Sequence, residues 1–251
     1  MKKYAPQAIV IGFVILALVR FGVRHGFQFG PTNGEVIEQY QSQFEPLHST
    51  LAAVVTRIDG LPPVEDTKLD FTLNPKPTLI AGDATHSNTS LISLSYLKTY
   101  QSSDLSGSSE LTAGDYERQH FSIEGDDFQY TIAWMGDENP LVPSAMKRDG
   151  SDMEKQLKKT LSLEYLIVGR NGEMKPSIYD EHGRPTEDLP CEVFLVSLVT
   201  GEILGQAPLL LPPAARPGGG MGPREIDQEV IRQIGEAWDK GAVIKWQEPA
   251  P

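Results

Sequence analysis

From Ile37 the apolar side chains fall at Ile37, Tyr40, Phe44, Leu47, Leu51, Val54 and Ile58, a spacing of 3-4-3-4-3-4 that predicts one helix with a single buried stripe. Gly60-Leu61-Pro62-Pro63 ends it, because glycine releases the last turn and proline cannot continue it. Three heptads in a row also suit a parallel coiled coil. Pro46 within the stripe and the lack of complementary charges among Gln41, Gln43, His48, Thr50, Val55 and Arg57 favour packing within the chain.

After Arg118 the period shortens to two. Phe121 and Ile123, a Gly125-Asp126-Asp127 turn, then Phe128, Tyr130, Ile132 and Trp134 predict a half-buried β-hairpin over 119–134. Leu91–Leu97 fits either a strand or a buried helix, and Lys68–Leu73 a short strand in an otherwise proline-rich connection. Met153, Leu157 and Leu161 predict a short helix over 152–161. Leu163–Val168 and Glu192–Val199 carry apolar residues on both faces, as central strands do. Thr200-Gly201 turns the second of these into 202–205. Pro208–Pro223, with five prolines and four glycines, reads as a linker; Ile226, Val230, Ile234 and Trp238 then mark a last helix over 224–240.

These elements compose an α+β fold: one domain with an antiparallel sheet and flanking helices behind an N-terminal anchor helix. The expected divisions are an anchor and its flank at 1–33, a membrane-proximal helix at 34–60, an α+β domain at 61–211, a Pro/Gly linker at 212–223, and a helix and tail at 224–251.

The anchor is expected from Ala8–Val19, twelve residues without a polar side chain behind Lys2 and Lys3. Twelve helical residues rise about 18 Å, short of the roughly 30 Å hydrocarbon core. Tyr4 at one interface and snorkelling Arg20 and Arg24 at the other extend the segment to residues 4–23, and the bilayer becomes the expected partner. A cleaved signal peptide is the competing reading, but no small-x-small cleavage pattern follows the apolar core.

Charge adds an orientation. The 251 residues carry 22 Lys and Arg against 34 Asp and Glu, a net charge of −12. The first 33 hold four basic and no acidic residues, so the remainder is a strongly acidic domain. Lys2 and Lys3 on the inner side and an acidic domain beyond fit a single-pass protein of the cell membrane with an extracytoplasmic C-terminal domain. The same balance argues against sequence-independent nucleic-acid binding, which needs lysine and arginine to neutralise phosphates. Cys191 is the only cysteine, which excludes an intrachain disulfide and a cysteine-only zinc cage.

Candidate chemistry is sparse. Ser95-x-x-Lys98 and Ser144-x-x-Lys147 have the spacing of a lysine-activated serine, but 17 Ser and 12 Lys make roughly one match by chance, and no Lys-Thr-Gly accompanies them. Gly-x-Ser-x-Gly, Walker A, Gly-x-Gly-x-x-Gly and His-Glu-x-x-His are all absent, and Gly218-Gly219-Gly220-Met221-Gly222 lies in a proline-rich tether with no strand before it. Asp180, Glu181 and His182, followed by Glu187 and Asp188, are the densest set of metal-ligand types, in a loop where charges are ordinarily just solvated. Asp83 and His86, His120, and Asp126-Asp127 all suit turn or surface roles, and Asn88-Thr89-Ser90 has the form of a glycosylation sequon.

No cofactor or metal is expected. The leading reading is a membrane-tethered, non-catalytic interaction or assembly protein of the cell envelope. Its contact surface would be the sheet face or the last helix through Ile226, Val230, Ile234 and Trp238, with an envelope protein as partner. The alternative is a hydrolase-like enzyme, or a small-ligand or metal-binding module, using the 180–188 loop.

Overall fold

A computed structural model describes residues 30–69, 72–81, 86–101, 121, 128–136, 141, 143–172, 186–215 and 220–247. Helix α1, Asn33–Asp59, opens with a reciprocal cap: Glu35 N–H donates to Thr32 Oγ1 (3.3 Å) and Thr32 N–H to Glu35 Oε2 (2.7 Å). Val36, Tyr40, Phe44, Leu47, Leu51, Val54 and Ile58 are buried along one face, with Val36 in the place expected of Ile37, which is only half-buried. Pro46 sits on the exposed side, where the carbonyl left without a helical donor can bond to water.

The remaining helices are α2 Leu94–Gln101, α3 Phe128–Trp134, α4 Pro143–Met146, α5 Ser151–Leu161 and α6 Pro223–Ala237. The strands are β1 Lys68–Leu69, β2 Thr78–Ala81, β3 Thr89–Ser93, β4 Tyr165–Asn171, β5 Leu189–Ser197, β6 Ile203–Leu211 and β7 Val243–Trp246. Five strands form one sheet in the order β1-β6-β5-β4-β3; β2 and β7 form a separate parallel pair. The mixed α+β class with a sheet and flanking helices holds.

The sheet separates two cores. On one side Leu166, Val168, Phe194 and Val196 pack with α1, α2, α3 and α5; on the other Tyr165, Ile167, Val193 and Leu195 pack with α6, Phe121 and Trp238. Alternate residues of β4 and β5 thus enter opposite cores, which is why both strands read as continuous apolar runs.

Three expectations need correction, and one open reading is decided. The sheet is mixed, not antiparallel throughout: β3 pairs with β4 in parallel, Thr89 opposite Tyr165. Such a pair requires a long crossover, and residues 94–164 supply it with helices. Phe128–Trp134 is a helix, not the second strand of a hairpin. Phe128 and Ile132 are four apart as well as an even number apart, and in the helix they share a buried face with Thr131. Leu91–Leu97 divides between strand and helix at Ser93, whose hydroxyl accepts from Tyr96 N–H (3.1 Å) in the first turn of α2. Pro208–Leu211 belongs to β6 rather than to a linker.

Close backbone approaches explain some of the glycines. A Cβ on Gly150 would meet Val36 Cγ2 at 2.7 Å and Thr32 O at 2.8 Å, so α1 can press onto the start of α5 only over a glycine. On β4, Phe121 lies across Gly169, and a Cβ there would stand 2.1 Å from the ring. Gly201 has φ +66° in the β5–β6 turn, and its carbonyl accepts from Arg57 of α1.

Among the described residues no helix is long and apolar enough to cross a membrane. The expected anchor over 4–23 lies outside the described residues.

Candidate functional site

The α1 side of the sheet is covered unevenly. Helix α1 ends at Asp59, and among the described residues Leu61–Val64 follows it along the outer strands. Between that segment and the strands lies a groove of about 480 Å³. Its apolar surface comes from Leu61, Pro63, Val64, Pro190, Pro208 and Leu210, with Leu210 58% exposed.

At the inner end of the groove, Arg170 of β4 and Glu192 of β5 stand opposite each other in register. Their side chains are only 15% and 8% exposed, with Nη2 2.5 Å and Nε 2.6 Å from Oε2. The guanidinium also donates to Ile58 O (2.7 Å), Leu61 O (3.2 Å) and Pro62 O (3.3 Å), and lies 5.1 Å above the Phe194 ring centre. Glu192 Oε1 accepts from Val64 N–H (2.7 Å). One ion pair therefore caps the end of α1 and pins both ends of the groove wall. The desolvation cost of two charges is offset because they have each other and several hydrogen bonds as partners.

The rim on β6 is closed to strand addition. Gln206 is paired with Lys68 of β1, Pro208 has no N–H, and Leu210 is engaged on both sides by one side chain from α6. Gln233 Oε1 accepts from Leu210 N–H (3.0 Å) while its Nε2 donates to Leu210 O (2.7 Å), as a neighbouring strand would. Gln233 is steadied by Glu229 (2.7 Å), which Arg232 also holds. The Arg232 hydrogen bond keeps the Glu229 carboxyl below its ordinary pKa. A partner would contact the side chains of the groove, not its backbone edge.

Cys191 faces the opposite core. It is buried, with Sγ 3.3 Å from Asn171 Oδ1. A second surface recess of about 470 Å³ lies between α6 and β7, lined by Arg232, Glu236, Asp239, Lys245 and Trp246. Arg232 is held there between Glu229 and Glu236.

The residues singled out from sequence do not converge. Asp180, Glu181 and His182 lie outside the described residues, as do Asp83, His120, Asp126 and Asp127. Among the described residues no group of three or more His, Cys, Asp or Glu is placed to hold a metal. His86 is exposed. Lys98 pairs with Asp59 of α1 (2.5 Å), while Ser95 Oγ lies 3.2 Å from Ser93 Oγ. Ser144 and Lys147 are both exposed on and just after α4. The Asn88 amide is built into the fold: Nδ2 donates to Lys76 O and Glu164 Oε2 (both 3.2 Å), and Oδ1 accepts from Thr78 N–H (2.7 Å). Ile226, Val230, Ile234 and Trp238 are buried against the chain's own sheet. The last helix therefore shows solvent its other side.

The groove residues were missed because each belongs to a different segment. One signal was present: Glu192 is a carboxylate inside an apolar strand, and a charge in a buried strand requires a partner. Comparison with protein-family models, curated proteins and solved structures finds no match to this chain.

Proposed function

We propose that this chain is a membrane-tethered, non-catalytic interaction or assembly protein of the cell envelope. Residues 4–23 form the tether, the C-terminal domain is extracytoplasmic, and the groove beside Arg170 and Glu192 is its contact surface. The observation that supports contact there is an exposed apolar floor, Leu210 with Pro190 and Pro208, against a wall held by a buried ion pair. Contiguous exposed apolar surface beside polar residues is the ordinary mark of a binding face. A groove held by a saturated hydrogen-bond network changes little on binding, so less ordering entropy is lost.

Two measurements test this. Intact-mass analysis of carbonate-extracted membranes from the native host should find residues 1–30 on the integral fraction; a mature soluble chain starting after about residue 22 overturns the tether. Amine cross-linking in the same membranes should give a discrete higher-mass species that Leu210→Asp removes. Persistence of that species in Leu210→Asp overturns the groove as contact surface.

A further inference from the structure

We draw no further inference here: the strongest candidate, the apolar groove between Leu61–Val64 and the ends of β5 and β6, belongs to the contact surface already described, and nothing in the structure shows what covers it.

Discussion

Arg170 and Glu192 face each other across β4 and β5 at the point where helix α1 ends, and their ion pair closes both the helix terminus and the wall of the groove. Removing one partner leaves the other charged in a nearly dry position, at a cost of roughly 3–5 kcal/mol. Glu192→Ala and Arg170→Ala should each lower stability toward the bottom of that range, since both side chains keep a little solvent contact. The double variant should cost clearly less than the two together. Urea unfolding of the four proteins checks this; additive losses would mean that the two groups act independently.

Gly169 supports the ring of Phe121. Gly169→Ala places a methyl group where the ring stands, at a cost of about 1–3 kcal/mol for an overpacked core. Phe121→Leu introduced with it should recover part of the loss, which thermal unfolding can read directly. No recovery would show that the ring is not what the methyl group meets.

Gln233 substitutes for a missing strand at Leu210. Gln233→Ala should cost about 0.5–1.5 kcal/mol, because water can partly replace both hydrogen bonds at this exposed rim. The larger effect should be on self-association, since the variant exposes an unpaired stretch of strand edge. Sedimentation velocity across a concentration series would detect it; unchanged monomer sedimentation would show that Pro208 suffices.

Asn88 joins β2 to the β3–β4 pair. Asn88→Ala leaves Thr78 N–H only its longer bond to Thr89 Oγ1 (3.2 Å), removes the amide's donations to Lys76 O and Glu164 Oε2, and should cost about 1–3 kcal/mol. Hydrogen exchange should locate the loosening around 76–81. Uniform exchange across the domain would contradict a local role.

Acid should weaken the N-terminal turns of α1 and α5. Hydrogen bonds from Thr32 hold the Glu35 carboxyl below its ordinary value of 4.5, those from Ser151 hold Asp149 below 3.8, and Lys158 does the same for Glu154. Groups with lowered folded pKa values stabilise the fold above their unfolded values, and that stabilisation is lost as the pH falls through the folded ones. The urea midpoint should therefore hold from pH 7 to about 5 and decline below about 4.5. Glu35→Gln should flatten part of that decline, and an unchanged profile would remove the cap from the explanation.

Helices with a full stripe were legible from sequence. The α1 pattern and its stop at Gly60 required only the spacing of seven apolar residues and three punctuating ones, and α5 and α6 followed the same logic. The central position of β4 and β5 was legible because a strand buried on both faces has no polar side to show. The candidate site was not: its wall, floor, inner end and rim clamp come from residues 61–64, 170–172, 190–192, 208–210 and 233, and no single segment carries a recognisable spacing. Glu192, a charge within an apolar strand, is the one signal of it that the sequence carries.

Sequence by itself determined which faces had to be buried, since periodicity and turn residues act over a few positions and need no knowledge of neighbours. Only the tertiary structure decided that Phe128–Trp134 is a helix, that β3 runs parallel to β4 and that Pro208–Leu211 completes a strand. In each case two local readings lie close in energy, and long-range partners decide between them: the α3 face buried beneath α5, the crossover that a parallel pair requires, and the Gln233 clamp on Leu210. The groove arises in the same way, from the place where α1 stops relative to a sheet that continues beyond it.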